Sequence, residues 1–203
     1  MKIICIGRNY AEHAKEFGDE VPDKPVFFLK PDTSLIIRNR PFFYPGFSDE
    51  IHYETEIVLK INRLGKNISK KFAHRYYKEM TVGIDLTARD LQRECKKHGH
   101  PWEIAKAFEG SAPLGKFVNK ERFGDIYNLN FGLQINGDVR QSGNTKDLIF
   151  DFEDLISYIS RFFTLKMGDL IFTGTPAGVG PVQIEDRLTA YIEDKILLDF
   201  RIK

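Results

Sequence analysis

The sequence predicts a single β-rich α+β domain that spans residues 1–203. Apolar residues alternate with polar ones along several short segments, which is typical of strands buried on one face. The predicted strands outnumber the predicted helices, and they do not alternate regularly with helices as a doubly wound parallel sheet requires. A chain of 203 residues, 42% of them hydrophobic, is long enough to bury one large core.

The N-terminal segment combines short strands with a polar helix. Residues Lys2–Ile6 form an apolar run that predicts a buried strand, and Ala11–Phe17 predict a small helix that Gly18 ends. A charged, turn-rich stretch follows before the strand predicted at Val26–Lys30. We therefore expect the helix and loop of about residues 8–24 to form a mobile lid.

Two alternating runs in the middle of the chain place carboxylates opposite apolar faces. Along Glu50–Ile61 one face carries apolar residues and a threonine, and the opposite face is mostly ionisable. Val82–Thr87 repeats the pattern, with Asp85 on the side away from the apolar residues. Short helices are predicted at Ser69–Tyr77 and Ala88–Lys97.

The C-terminal half is predicted to hold one amphipathic helix among strands. The helix, Phe152–Phe163, carries apolar residues at helical spacing after the acidic Asp151. Strands are predicted at Leu129–Asn136, Ile171–Thr173, Leu188–Ile192 and Ile196–Ile202, the last two joined by a hairpin turn at Glu193–Lys195.

Charge and cysteine usage exclude several function classes. The 30 Lys and Arg residues and 29 Asp and Glu residues give a formal net charge of +1, so we expect no binding to nucleic acid or to a membrane surface. Cys5 and Cys95 lack the spacing of a zinc site, and two distant cysteines make no disulfide framework. The first apolar run is too short for a signal peptide, and we expect a cytoplasmic protein.

Three carboxylates form the first candidate site. Glu54 and Glu56 lie two residues apart on a predicted strand, so their side chains leave the same face about 7 Å apart, and Asp85 is a possible third ligand. Oxygen ligands without cysteine suit Mg²⁺ or Mn²⁺ better than structural zinc. From spacing alone, a solvated acidic face is the more frequent outcome of such a pattern.

Two further groups carry possible chemistry. His13 and Glu16 share one face of the predicted helix and could form an acid/base dyad, or they could form a surface ion pair. Lys106 lies between apolar neighbours and could be a buried cation, although a lysine that reaches the surface is more frequent.

A glycine-rich segment at residues 174–180 lacks the ending of a nucleotide-binding P-loop and contains a proline. The glycines also lack the spacing of a dinucleotide-binding fingerprint. We therefore expect a tight turn that presents backbone N–H groups to a small anion.

Seven motifs in order along the chain resemble those of the fumarylacetoacetate hydrolase family, and most closely its short acylpyruvase-like branch. They are Gly7–Tyr10 with His13, Pro25–Pro31, His52–Glu56, Gly83–Asp90, Pro101–Lys106, Gly168–Asp169 and Thr173–Gly180. The resemblance covers nearly the whole chain. It implies a β-rich, mixed-sheet roll with a few short helices, usually assembled as a homodimer.

The same resemblance assigns roles to individual residues. It implies that Glu54, Glu56 and Asp85 hold Mg²⁺ or Mn²⁺, and that His13 and Glu16 form a lid dyad that activates water. The residues implied to hold the substrate are Arg89, Gln92, Lys106 and Thr175, with Lys106 also stabilising the negative charge of the reaction.

The resemblance implies a substrate class of small 2-oxo acids, with several possible reactions. The first is hydrolytic cleavage of a C–C bond in an acylpyruvate, with release of pyruvate. Decarboxylation or tautomerisation of oxaloacetate would use the same site without attack by water. Alternatives are an isomerase of 2-hydroxyhepta-2,4-diene-1,7-dioate or a decarboxylase of 5-carboxymethyl-2-oxo-hex-3-ene-1,6-dioate in aromatic catabolism, and a non-catalytic module that binds metal and oxo acid. A longer diacid would need an additional cation at the mouth of the pocket, which the sequence does not identify.

Overall fold

The computed structural model describes residues 1–16 and 20–203, which form four β-sheets with short helices between them. The predicted β-rich α+β class is confirmed. The largest sheet has six strands in the order β2 (Val26–Lys30), β1 (Ile3–Gly7), β12 (Leu170–Phe172), β5 (Thr55–Ile61), β6 (Tyr77–Ile84) and β9 (Val118–Asn119). Strands β1 and β12 are parallel, and the other neighbours are antiparallel, so the sheet is mixed.

Three smaller sheets complete the strands. The four-stranded sheet has the order β11 (Asp138–Asn144), β10 (Asn130–Ile135), β14 (Arg187–Ile192) and β15 (Lys195–Arg201). The three-stranded sheet consists of β13 (Gly180–Pro181), β4 (Ile51–Tyr53) and β7 (Thr87–Ala88), and the two-stranded sheet of β3 (Leu35–Ile36) and β8 (Ala112–Pro113).

The described helices are short. The α-helices are α1 (Ala11–Glu16), α2 (Lys70–Ala73), α3 (Arg89–His98), α4 (Glu103–Lys106) and α5 (Phe152–Ile159), and 3₁₀ turns occur at Asp32–Ser34, Lys120–Phe123 and Thr145–Asp147. The side chain of Asp151 caps α5 by accepting a hydrogen bond from the backbone N–H of Asp154 at 2.7 Å. Gly99 ends α3 in a left-handed conformation with φ 66°. In the described part of the chain, none of the helices has the length and apolar character needed to cross a membrane.

Two predicted helices are too long. The helix predicted at Ser69–Tyr77 ends at Ala73, because Tyr77 is already extended and pairs with Ile61 at the start of β6. The helix predicted at Phe152–Phe163 ends at Ile159, because the carbonyl of Ser160 accepts a hydrogen bond from the N–H of Asn67 instead of continuing the helix. The end predicted for the first helix at Phe17, and its stop at Gly18, lie outside the described residues.

Both central runs predicted as single strands are interrupted. The chain leaves the three-stranded sheet after β4 and enters the six-stranded sheet at β5, so Glu54 lies at the junction and Glu50–Ile61 is not one strand. Residues Val82–Thr87 divide in the same way, because β6 ends at Ile84 and Thr87 pairs with β4 in the other sheet. Asp85 therefore lies beside Glu54, and its N–H donates to the Glu54 carbonyl at 2.8 Å.

Strand β11 has no counterpart among the predicted elements. Its pairing with β10 follows a turn at Asn136 and Gly137, which have φ values of 55° and 94°. Asn-Gly is a strong signal for a two-residue hairpin turn. The strand is mostly exposed and its central buried side chain is Gln141, so hydrophobic alternation does not reveal it.

Candidate active site

The junctions between the two sheets bring the three predicted carboxylates together. Glu54, Glu56 and Asp85 each present an oxygen atom, and these atoms lie within 4.8 Å of one another. The residues are 6%, 1% and 1% exposed, so the interpretation as a solvated acidic face is wrong.

The charges around the three carboxylates differ. Burial, together with the nearby Asp85 and Glu54, raises the pKa of Glu56 well above its ordinary value. Burial would also raise the pKa of Glu54, but the positive charges of Lys106 and Arg89 outweigh burial and hold this pKa well below its ordinary value. The carboxylates around Glu56 repel one another, and a bound divalent cation would offset this repulsion. Mg²⁺ and Mn²⁺ prefer oxygen ligands such as these three side chains provide.

Lys106 lies at the base of this cluster. Its Nζ atom is 2.8 Å from Glu54 Oε2, 2.8 Å from Asp85 Oδ2 and 2.6 Å from the hydroxyl of Thr87. The side chain is buried, so the alternative of a lysine that reaches the surface is wrong. Burial alone would lower the pKa of Lys106, but the two carboxylates outweigh it and raise the pKa, which keeps the ammonium group charged.

Lys30 is a second buried lysine, and sequence reasoning did not single it out. Its Nζ atom lies 2.8 Å from Asp85 Oδ1 and donates to the hydroxyl and carbonyl oxygens of Ser111 at 2.9 and 3.0 Å. It also contacts the backbone carbonyl of Lys106. The only sequence signal is a lysine at the end of an apolar strand, which is more often an exposed residue.

The predicted dyad is present on α1. His13 Nδ1 lies 3.3 Å from Glu16 Oε2, and His13 is 9% exposed and lines the same pocket as Glu54 and Lys106. A proton on Nδ1 that is directed at Glu16 makes Nε2 the basic atom of the ring. This geometry allows His13 to act as a general base towards a molecule in the pocket.

The glycine-rich segment presents backbone N–H groups to anions, as its pattern predicts, but the observed anions are side chains of the protein. The N–H of Gly174 donates to Glu56 Oε2 at 2.7 Å, and the N–H of Gly178 donates to Glu16 Oε2 at 3.3 Å. Gly174 has a φ of 102°, and a Cβ atom there would lie 2.7 Å from Cβ of Asn9. The segment therefore connects the carboxylate cluster with the dyad.

The residues predicted to bind substrate also meet in this pocket. Arg89 donates to Glu54 Oε1 at 2.7 Å and to the side-chain oxygen of Gln92 at 2.6 Å. Arg89, Gln92, Lys106 and Thr175 all line the pocket with His13. Strand β7 leads directly into α3, which places Arg89 and Gln92 on the first turn beside the carboxylates.

Gln141 is a further residue that the sequence did not indicate. Its side-chain nitrogen donates to the hydroxyl of Thr175 and to the carbonyl of Pro176, both at 2.9 Å. Its side-chain oxygen accepts the N–H of Thr55 at 2.9 Å. Gln141 therefore connects the glycine-rich segment to Thr55, the residue between Glu54 and Glu56.

Comparisons with known proteins identify the family of this chain. The family model described as fumarylacetoacetate (FAA) hydrolase, C-terminal, matches residues 2–202. The mitochondrial oxaloacetate tautomerase of Bos taurus is 40% identical over 201 residues, which cover 99% of this chain and 91% of the relative. The oxaloacetate tautomerase of Escherichia coli is 43% identical over 189 residues, which cover 93% of this chain and 86% of the relative.

A solved structure shows the same architecture. The crystal structure of fumarylpyruvate hydrolase from Pseudomonas aeruginosa, in complex with Mn²⁺ and pyruvate, superposes with a TM-score of 0.93 at 38% identity. The match covers 100% of this chain and 89% of that chain. The mixed-sheet roll that the motifs imply is therefore confirmed.

Proposed function

Because the chain belongs to the fumarylacetoacetate hydrolase family, we propose that it is a divalent-cation-dependent enzyme that acts on small 2-oxo acids. The proposed reaction is hydrolysis of a carbon–carbon bond in an acylpyruvate, which yields a carboxylic acid and pyruvate. The observation that carries this proposal is the His13 and Glu16 dyad in the same pocket as the three carboxylates. A base, a charge-stabilising group and a cation site are the parts that such a hydrolysis requires.

Glu54, Glu56 and Asp85 would hold the cation, Mg²⁺ or Mn²⁺, through their carboxylate oxygens. When bound, the cation supplies a Lewis acid that polarises the 2-oxo group and favours negative charge on its oxygen. Lys30 balances the charge of Asp85, and Gly174 fixes the carboxylate of Glu56 through its N–H. These contacts orient the oxygens before any ligand enters, which is the function of outer-shell groups at metal sites.

His13 would remove a proton from a water molecule as that water adds to the distal carbonyl carbon of the substrate. Glu16 orients the imidazole and stabilises the positive charge that the ring then acquires. The bond between the distal carbonyl carbon and C3 of the substrate breaks, and its electron pair passes to the pyruvate part as an enolate. Lys106 stabilises this negative charge, and a proton returned to C3 completes the formation of pyruvate.

A second candidate reaction is tautomerisation of oxaloacetate. It needs a proton to be exchanged at the carbon next to the 2-oxo group, with no attack by water. Lys106, 2.8 Å from both Glu54 and Asp85, would stabilise the enolate of this reaction as it would stabilise that of the hydrolysis. The two relatives named as oxaloacetate tautomerases support the same reaction.

A substrate panel with added Mg²⁺ tests the proposal. Acetylpyruvate, fumarylpyruvate and oxaloacetate would be supplied separately, and pyruvate release would be followed by a coupled lactate dehydrogenase assay, with the oxaloacetate enol followed by ultraviolet absorbance. We expect pyruvate from an acylpyruvate, loss of the activity with EDTA, and recovery with excess Mg²⁺ or Mn²⁺.

Variants show whether the carboxylates are responsible. Glu56→Gln should abolish turnover and cation binding, whereas Glu79→Gln, at a half-buried glutamate on β6 that does not line the pocket, should leave both unchanged. Turnover of oxaloacetate enol without cleavage of any acylpyruvate would replace the hydrolase proposal with the tautomerase. Binding of oxo acids without turnover of any substrate would support the non-catalytic module instead.

A further inference from the structure

Gln141 is a polar side chain of β11 that the proposed chemistry does not use, although it is 1% exposed. The backbone N–H of Thr55 donates to its side-chain oxygen at 2.9 Å. Because a backbone N–H needs an acceptor, this contact fixes which end of the amide is oxygen and which is nitrogen. The nitrogen is therefore directed at Thr175 and Pro176, and it donates to the hydroxyl of the first and the carbonyl of the second.

The glycine-rich segment lies directly against β11 on both sides of Gln141. A Cβ atom at Gly143, two residues further along the strand, would lie 2.8 Å from Cγ of Pro176. A Cβ atom at Gly178 would lie 3.0 Å from the carbonyl oxygen of Arg140. Because such distances leave no room for a side chain at either glycine, close backbone packing holds the segment next to the Gln141 amide.

These contacts determine what the hydroxyl of Thr175 can do. A hydroxyl has one hydrogen to donate and accepts hydrogen bonds through its oxygen. The oxygen of Thr175 accepts from Gln141, so its own hydrogen is directed elsewhere. The carbonyl of Pro176 is a poor acceptor for it, because that oxygen is 3.5 Å away and already accepts from Gln141 at 2.9 Å. The hydrogen is therefore available to a ligand in the pocket that Thr175 lines.

We propose that Gln141 is a positioning residue that presents the hydroxyl of Thr175 as a hydrogen-bond donor to the oxo acid. This inference rests on the proposed function, because it takes the pocket as the oxo-acid site. Gln141 does not line the pocket itself. It acts by occupying both the hydroxyl oxygen of Thr175 and the carbonyl of Pro176. A hydroxyl that donates stabilises the anionic oxygens of the ligand, whereas a hydroxyl turned to Pro176 does not.

Pyruvate is a suitable probe because it is a 2-oxo acid and its binding can be measured without turnover. Trp102 is the one tryptophan of the sequence and lines the pocket, so its fluorescence reports binding of pyruvate to the Mg²⁺-loaded protein. Thr175→Val removes the proposed hydrogen bond to the ligand directly, and Gln141→Met removes the contacts that direct it. We expect each variant to bind pyruvate about tenfold more weakly, since a hydrogen bond to a charged group contributes about one such factor.

The double variant distinguishes this positioning role from a structural one. If Gln141 acts through the hydroxyl of Thr175, then Gln141→Met removes nothing further once Thr175→Val has removed that hydroxyl. The double variant should therefore bind pyruvate about tenfold more weakly than the wild type, whereas two independent losses would multiply to about hundredfold. Thr175→Ser retains the hydroxyl, so Gln141→Met should still weaken pyruvate binding in that background.

Affinity for Mg²⁺, measured by calorimetry without pyruvate, is the second readout. It should be unchanged in Gln141→Met, because the N–H of Gly174 still holds Glu56. A role through Thr55 would instead weaken Mg²⁺ binding. Gln141→Glu keeps an oxygen for the Thr55 N–H and removes the donating nitrogen, so it repeats the test if Gln141→Met does not fold. Gln134→Met, at a half-buried glutamine of the neighbouring strand β10 that does not line the pocket, should change neither affinity.

The outcomes separate the inference from the function on which it rests. Multiplied losses in the double variant, unchanged pyruvate binding in either single variant, or weaker Mg²⁺ binding in Gln141→Met would overturn the positioning role, even if acylpyruvates are hydrolysed. Failure to hydrolyse any acylpyruvate, together with equal pyruvate affinity of the double variant and Thr175→Val, would refute the proposed reaction and leave the inference intact. Failure of the wild-type protein to bind pyruvate would overturn both, because the pocket would then not be an oxo-acid site.

Discussion

Replacing Lys30 by methionine removes one of the two lysine ammonium groups that lie beside Asp85. The Lys30 side chain has no exposure, and its ammonium group lies 2.8 Å from Asp85 Oδ1. Methionine has a similar length but offers no donor to this carboxylate or to the oxygens of Ser111. The substitution therefore leaves a buried carboxylate with Lys106 as its remaining charged partner.

The size of the effect follows from this burial. Removing one partner of a buried ion pair costs about 3–5 kcal/mol, because the other charge stays buried. Since Lys106 still neutralises part of the charge on Asp85, we take the lower end and expect a loss of about 3 kcal/mol in the free energy of unfolding. For a domain of this length, that loss corresponds to a decrease of about 6–12 °C in melting temperature.

Lys60→Met is the matched control. Its ammonium group also lies 2.8 Å from a carboxylate, that of Glu79, but the two side chains are 39% and 43% exposed. An exposed pair contributes about 0.2–1 kcal/mol. Urea denaturation and thermal melts of both variants, recorded with EDTA, would measure the difference. Equal losses in the two variants would refute the argument that burial makes the Lys30 contact strong.

Three other predictions concern activity, pH and assembly. His13→Ala should lower acylpyruvate hydrolysis by about 10²–10⁴-fold and retain most of any oxaloacetate decarboxylation, because decarboxylation needs no activated water; equal losses in steady-state rates would mean that His13 only positions the substrate. Burial would raise the pKa of Asp90, but hydrogen bonds from the hydroxyl of Ser48 and the N–H of Asp49 outweigh it and lower this pKa. Asp90 therefore contributes stability that is complete above its unfolded pKa of about 3.9 and is lost as the pH falls through the lower folded value. In the Asp90→Asn variant, the free energy of unfolding measured with urea should decrease less over this pH range. An unchanged pH profile would contradict the assignment. The protein should form a homodimer. Light scattering at micromolar concentration should give twice the chain mass of 23.5 kDa, and the mass of one chain would refute this prediction.

The carboxylate site could be predicted from the sequence because its ligands lie close together in sequence or in a recognisable motif. Glu54 and Glu56 are two residues apart, and Asp85 follows a strand that pairs with theirs. Alternation alone favoured a solvated face, since it describes each strand separately and contains no information on what packs against it. The ordered motifs were needed to identify the residues as a buried site.

Lys30 and Gln141 could not be predicted in this way, because their importance comes from contacts far away in sequence. Lys30 meets Asp85 and Ser111, more than 50 residues along the chain. Gln141 meets Thr55 and Thr175 from a strand whose other residues are mostly exposed. Local periodicity shows which face of an element is apolar, but it does not show which polar side chain will find buried partners.

The buried charges of the site explain why cation and substrate should depend on each other. In their ionised forms, the three carboxylates are balanced by three buried cations, Lys30, Arg89 and Lys106. A divalent cation at the carboxylates adds two positive charges to a cluster that is already balanced, at a place where water screens little. A 2-oxo acid whose carboxylate lies beside the bound cation offsets part of this added charge. Because coupling between two ligands is reciprocal, the substrate should strengthen binding of the cation by the same factor by which the cation strengthens binding of the substrate.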